Sequence, residues 1–302
     1  MSDILKTGYI KMKVGILSNK KSYLPEIIAY RNYFIKNNIE VIISDQELLL
    51  KKCDVIIMFC GFFLKKKLRN KIYIHDYSSL STPPFCKAKD IIKKYFNFKP
   101  DLRIFNSKLI KDHMNYNDKV PSIIRSQGIL KNFFQKRLKK FTYDFLYTGS
   151  IEARNGLDKI FFKYLQLGFS ILVIGYVSKV YKDKFSNFSK IKFLGPKKYI
   201  NMFRYYKMCN YGLNYIPNEF PYNAQYSTKF LEYSASKMKI VSNKTDFMNK
   251  ISKKYKIKNV YDEDIHSAED LKKAKFQHVD LIHYEWNKVI EKSGILKKLC
   301  VE

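Results

Sequence analysis

DFLYTG at Asp144–Gly149, followed by SILVIG at Ser170–Gly175 and KIKFLG at Lys190–Gly195, decides how this 302-residue chain is built. Each is a short run dominated by Ile, Val, Leu and Phe, each stops at a glycine, and helix-length sequence separates one from the next. Such runs predict strands buried on both faces, which means a parallel sheet with helices packed on either side. A glycine at a strand's carboxyl end permits a tight turn or the close approach of a ligand, although glycine also simply ends strands. YGLNYI (Tyr211–Ile216), KIVS (Lys239–Ser242) and NVYD (Asn259–Asp262) continue the series.

The same grammar runs through the first half. KVGIL (Lys13–Leu17) leads through a polar turn at Ser18, Asn19, Lys20 and Lys21 into a helical pattern from Tyr23 to Lys36. EVIIS (Glu40–Ser44), DVIIMFC (Asp54–Cys60), KIYIH (Lys71–His75) and LRIFN (Leu102–Asn106) follow. Two α/β series imply two doubly wound domains, with ligands at the strands' carboxyl ends in a cleft between them. We place the first domain at 1–140, ending in the basic stretch Lys131–Lys140, the second at 141–280, and a terminal helical stretch at 281–302 that carries Trp286 across its Leu281–Leu299 core.

Composition narrows the function classes. With 57 Lys and Arg against 27 Asp and Glu, the formal charge of +30 calls for an anionic partner: nucleic acid, anionic lipid or a phosphorylated small molecule. An AT-rich genome accounts for abundant Lys, Asn and Ile but not for scarce acidic residues. The five cysteines (Cys53, Cys60, Cys86, Cys209, Cys300) form neither a Cys-x-x-Cys nor a zinc-spaced cluster, so neither metal nor disulfide is expected. No secretion signal or spanning stretch is visible, so a cytoplasmic protein is expected.

The most informative segment is Tyr226–Ser242, YSTKFLEYSASKMKIVS. Lys229 and Glu232, at i and i+3, share one helix face, where a cation can neutralise a diphosphate and a carboxylate can accept both hydroxyls of a ribose. Taken alone, such a pair is also what a solvated helix presents. The whole segment resembles the donor site of GT-B glycosyltransferases of family 4, in which a Ser/Pro-Thr-Lys-x-x-Glu-Tyr helix runs into a Gly-Lys-Pro-Val-Val strand. FLYTGSIEARNGLDKI (Phe145–Ile160) resembles the first strand and glycine loop of that family's second domain, and PDLRIFNSKLIKDHM (Pro100–Met114) the last strand and helix of its acceptor domain.

The resemblance implies a GT-B fold of two Rossmann-like domains and a retaining enzyme that moves a sugar from a nucleotide-diphosphate donor to a glycan or lipid-diphosphate-linked acceptor in surface polysaccharide synthesis. No metal or other cofactor is implied, and the chain is expected to lack the Asp-x-Asp pair that holds a divalent cation in the GT-A alternative. A basic residue ahead of the loop's second glycine would contact the donor phosphates; Asn155 occupies that place and Arg154 precedes it. The donor set is therefore Gly149, Ser150, Arg154, Ser227, Thr228, Lys229 and Glu232, with Arg154 and Lys229 stabilising charge on the leaving diphosphate. Many relatives carry a second, sugar-facing glutamate where this chain has Ala224, which passes that contact to Asn223, Gln225 or backbone amides. On the acceptor side, His75 and Asp76 at the end of KIYIH are candidate catalytic residues, with a purely structural His75 as the alternative.

Two further readings concern the charge. Lys65, Lys66, Lys67, Arg69 and Lys71, with the helix-like 85–98 bearing Lys87, Lys89, Lys93 and Lys94 among Ile91, Ile92, Tyr95 and Phe96, suit a peripheral position on an anionic inner membrane leaflet. A buried amphipathic helix presents the same pattern. A nucleotide-sugar epimerase is the enzymatic alternative, and a basic nucleic-acid-binding protein the non-enzymatic one, although no nucleic-acid-binding signature is present and none is expected as a partner.

Overall fold

In the computed structural model every strand among the described residues lies parallel to its neighbours, and these strands form two sheets of six. The structure describes residues 12–18, 24–59, 67–134, 136–138, 140–152, 154–224 and 226–299. Asn19, Lys20, Lys21, Tyr23, Cys60, Lys65, Lys66, Gln225 and Cys300 lie outside them. The chain divides into two units, Met1–Gly128 with Trp286–Glu302, and Ile129–Glu285. The divisions read from the sequence, at 140/141 and 280/281, lie a short way from these.

The strands are β1 (Lys13–Leu17), β2 (Glu40–Ser44), β3 (Val55–Phe59), β4 (Ile72–Tyr77), β5 (Leu102–Phe105) and β6 (Ser122–Ile124) in the first unit. The second holds β7 (Tyr143–Thr148), β8 (Ile171–Ile174), β9 (Ile191–Phe193), β10 (Cys209–Asn214), β11 (Lys239–Ser242) and β12 (Val260–Tyr261). The α-helices among the described residues are α1 (Pro25–Lys36), α2 (Cys86–Phe96), α3 (Lys108–Met114), α4 (Leu157–Gln166), α5 (Lys179–Asp183), α6 (Met202–Lys207), α7 (Thr228–Ala235), α8 (Asp246–Tyr255), α9 (Ala268–Lys273), α10 (Trp286–Ser293) and α11 (Ile295–Leu299). None of them is long and apolar enough to cross a membrane.

In the first unit the order is β2-β1-β3-β4-β5-β6. The edge strand β6 was not expected, because Ser122–Ile124 is too short and too exposed to read as an apolar run. The terminal stretch 281–299, expected as one helix, is a single turn at Ile282–Tyr284 followed by α10 and α11, broken where Gly294 takes the left-handed φ of 72°. Helix α10 packs on α1, and the buried Trp286 covers Gly128 so closely that a β-carbon there would lie 2.3 Å from the indole.

In the second unit the order is β12-β11-β10-β7-β8-β9. The chain builds outward from β7 through β8 to β9, then returns to lay β10 on β7's other side. Strand order therefore reverses between β7 and β10, and in such sheets the crevice at the carboxyl ends of the two strands beside the reversal is where ligands bind. One face is packed with apolar and aromatic residues, Phe145, Phe161, Tyr164 and Leu213 among them, and Leu146 and Leu172, which alternate to the other face, are buried as well, as the near-continuous apolar runs require. Gly212 on β10 leaves room for the Tyr233 ring, which would lie 2.5 Å from a β-carbon, and this close packing brings the Tyr233 hydroxyl to the Leu146 carbonyl at 3.2 Å.

Candidate functional site

The loop leaving β7 starts at Gly149, whose N–H donates to the Ile174 carbonyl at 3.0 Å and whose φ is +115°. A β-carbon on Gly175, at the end of β8, would sit 2.1 Å from the Gly149 carbonyl oxygen. The two strand-ending glycines thus allow one backbone to lie against the other, which answers at this place the question of what such glycines do. The loop runs on through Ser150 and Arg154 to Gly156, which starts α4 in the left-handed conformation at φ +86°. From β10 the Tyr215 hydroxyl reaches over to donate to the Asn155 carbonyl, tying the loop across the strand-order reversal. The positive end of the α4 dipole faces this loop.

Two cations converge here. Helix α7 is started by Ser227, whose Oγ accepts from the Phe230 N–H at 3.2 Å and donates to Asn214 Oδ1 on β10 at 2.6 Å. That cap fixes the first turn and sets Thr228 and Lys229 on it. The Lys229 Nζ lies 5.3 Å over the ring of Tyr147, on β7. Arg154 acts on the hydroxyl of the same tyrosine, stacks its guanidinium 4.0 Å over Tyr222, and has a buried Nε with no hydrogen-bond partner among the described residues. Residues 75 positions apart in sequence thus meet at one tyrosine, Lys229 over its ring and Arg154 at its hydroxyl. Burial, with the Arg154 charge added to it, pushes the Lys229 ammonium down to about 7, while Glu232 acts in the opposite direction. A half-buried cation beside a second one is a place where an anion relieves both desolvation and repulsion.

Glu232 is buried on the next turn of α7, where its carboxylate accepts from the Tyr199 hydroxyl at 2.7 Å and from the Tyr206 hydroxyl at 2.5 Å. Burial pushes it up to about 7 against the pull of those hydroxyls and of Lys229. A carboxylate offers about four acceptor positions, so each oxygen keeps capacity beyond its tyrosine. The tyrosines Tyr147, Tyr199, Tyr206 and Tyr222 were not singled out from the sequence. Tyr147 could have been, as the residue two before Gly149 on the site strand; the others have no signal apart from the general wealth of tyrosine.

The remaining expected residues separate. Ala224 ends a turn at Tyr222–Ala224, and Asn223 Nδ2 contacts Asn218 Oδ1 at 3.3 Å. An Asp-x-Asp pattern is present once, at Asp262–Asp264, which corrects the expectation that the chain lacks it. Its carboxylates are engaged by lysines, Asp262 by Lys163 at 3.1 Å and Asp264 by Lys244 at 2.7 Å.

His75 and Asp76, in the first unit, are both buried, and the alternation of β4 sends them to opposite faces of the sheet. His75 meets the Phe98 ring with centroids 4.8 Å apart, and burial together with the Arg103 charge pushes it down to about 3. It is an uncharged residue of the interior. Asp76 accepts from the Tyr30 hydroxyl at 2.7 Å and from Arg125 at 3.1 Å. Arg125 is itself buried, 3.9 Å from Glu26 and with its guanidinium 5.1 Å over Trp286. This ion pair of the first unit holds β4, α1 and α10 around one charge.

No family model matches the chain, and no curated protein matches it. Solved structures do. AviGT4, a glycosyltransferase involved in avilamycin A biosynthesis, is 12% identical over 93% of this chain and 95% of its own, with a TM-score of 0.62. HepE from Anabaena, solved with UDP-glucose, is 9% identical over 95% of this chain and 91% of its own, with a TM-score of 0.56. A putative UDP-N-acetylglucosamine 2-epimerase from Listeria monocytogenes is 11% identical over 95% and 88%, with a TM-score of 0.51. The class these likenesses define is one of fold: the chain has the two-domain, Rossmann-like GT-B fold.

Proposed function

We propose that the chain is a glycosyltransferase that uses a nucleotide-diphosphate sugar, with the donor diphosphate held by Arg154 and Lys229 against the Gly149–Gly156 loop. The observation that carries this reading is the convergence of those two side chains on Tyr147 at the strand-order reversal of the second unit. As the bond from the sugar to the diphosphate breaks, negative charge grows on the departing phosphate. The two cations and the N-terminus of α4 are preorganised to take it up. Ser150 and Thr228 add hydroxyls beside the phosphates, and Glu232 offers its remaining acceptor positions to the ribose.

In this reading the charge is met by side chains and no metal is needed. A retaining outcome, a glycan or lipid-diphosphate-linked acceptor and a place in surface polysaccharide synthesis belong to the same proposal and draw on the resemblance of Tyr226–Ser242 to family 4 donor sites. The avilamycin enzyme and HepE lend the fold, and HepE's complex with UDP-glucose makes uridine diphosphate the first nucleotide to try.

The test is thermal and calorimetric binding of a panel of nucleoside diphosphates to the whole chain and to an Arg154→Ala variant. Loss of one charge-assisted contact to phosphate, worth about 1.5–3 kcal/mol, lowers affinity roughly 10- to 150-fold. A panel in which no member binds, or an Arg154→Ala protein that binds as well as the parent, would refute the reading.

A further inference from the structure

Helix α2 is packed inside out. An amphipathic helix on a globular domain turns its apolar stripe to the core, and the pattern of 85–98 is compatible with that. Here the face turned to the domain is polar. Asp90 is buried, accepts from the Ser81 N–H at 3.1 Å, and has Lys93 Nζ at 3.5 Å and His113 Nε2 at 3.4 Å. Lys94 Nζ donates to the Asn115 carbonyl. These contacts lock the helix in one rotation.

The opposite side carries the large apolar groups into solvent: Phe85 is 78% exposed, Ile91 56%, Ile92 42%, Tyr95 72% and Phe96 63%. From Ile91 on they recur at three- and four-residue spacing, so they form one stripe. Clusters of this kind, unlike single exposed apolar residues, mark interaction surfaces. The exposed Lys87, Lys89 and Lys99 stand beside the stripe.

We propose that α2 is the surface by which the chain docks, lying in the plane, on an anionic lipid bilayer. Phe85, Ile91, Ile92, Tyr95 and Phe96 enter the boundary between headgroups and acyl chains, and the lysines pair with lipid phosphates. Charge complementarity selects the anionic surface, and the two isoleucines select lipid over nucleic acid, which would take up the lysines but leave those side chains in water. The proposal stands independently of the nucleotide-sugar reading.

The experiment is co-sedimentation of the full chain with vesicles of phosphatidylcholine alone and of phosphatidylcholine and phosphatidylglycerol in equal parts. The expected result is binding to the mixed vesicles, weakened by salt, and little binding to the neutral ones. An Ile92→Ser/Tyr95→Ser variant should bind at least roughly tenfold less, and a Lys87→Gln/Lys89→Gln variant roughly fivefold less for each lysine removed. All four positions lie on the helix's outward side, so matched melting curves confirm that the variants are folded. Absence of binding to mixed vesicles overturns the proposal, as does equal binding by the Ile92→Ser/Tyr95→Ser variant. Dimerisation abolished by that variant, without vesicle binding, would assign the face to a second copy and overturn it as well.

Discussion

Lys229 should make donor binding sensitive to pH in a range where few lysines titrate. The ammonium sits at about 7 because it is desolvated and faces Arg154. A bound diphosphate supplies the missing opposite charge and returns the group towards an ordinary lysine value near 10.4. Binding above neutrality must then take up a proton. Protonated Lys229 falls from about one half of the unliganded protein at pH 7 to about one hundredth at pH 9, so affinity for a nucleoside diphosphate should drop roughly 50-fold between them. Phosphate itself contributes little there, since its second ionisation lies near 6. Isothermal titration calorimetry in buffers of differing ionisation enthalpy reads both the affinity and the proton taken up. A Lys229→Arg variant, charged at every pH in the range, should bind with no such step. A flat affinity in the parent protein between these pH values, or a step that survives in Lys229→Arg, would refute the assignment of Lys229 to the phosphates.

Glu232, raised from 4.5 to about 7 in the folded state, binds more protons there than when unfolded, so its contribution is full below 4.5 and is lost as pH rises through 7. Urea denaturation should show the parent losing stability across that window relative to Glu232→Gln, and parallel curves would contradict the burial argument. Asp76→Asn leaves Arg125 buried with its main partner gone, which costs about 3–5 kcal/mol and should lower Tm by roughly 10 °C; a change under about 2 °C would show that the pair is not the anchor of the first unit. Gly128→Ala places a β-carbon 2.3 Å from the Trp286 ring and should destabilise by about 1–3 kcal/mol, with altered tryptophan fluorescence as the local readout.

Most strands were legible because burial on both faces leaves little choice of composition: β1, β2 and β11 have the bounds that the runs KVGIL, EVIIS and KIVS suggest. Strand β6 was not, since an exposed three-residue edge has no apolar run to display. Gly294 hid in the terminal helix because a single glycine is tolerated within a helical pattern and only its left-handed φ shows the break. For α2 the apolar spacing was right and its direction was not determined: the same stripe serves a core-facing or a solvent-facing helix, and Asp90, a buried anchor that reads as a surface charge, decides between them.

The candidate site follows the same division. Arg154 and Lys229 stood out by residue type and motif, but that they share Tyr147 depends on β7 and α7 being neighbours through β10. Nor does a strand pattern show that His75 is packed against Phe98 while Asp76 serves Arg125 on the other face. Tyr199 and Tyr206 look like any other core tyrosine until they are seen donating to Glu232.

In the proposed mechanism Arg154 and Lys229 together receive a departing nucleoside diphosphate. The most direct measurement is release of nucleoside diphosphate from radiolabelled nucleotide sugars, UDP-glucose first, by the parent protein and by an Arg154→Ala/Lys229→Met double variant shown to be folded. The expected result is steady release by the parent, with label appearing in free sugar or in an added acceptor, and release reduced at least roughly thousandfold in the variant. Undiminished release by the variant, or conversion of the donor sugar to its epimer by the parent, would contradict it.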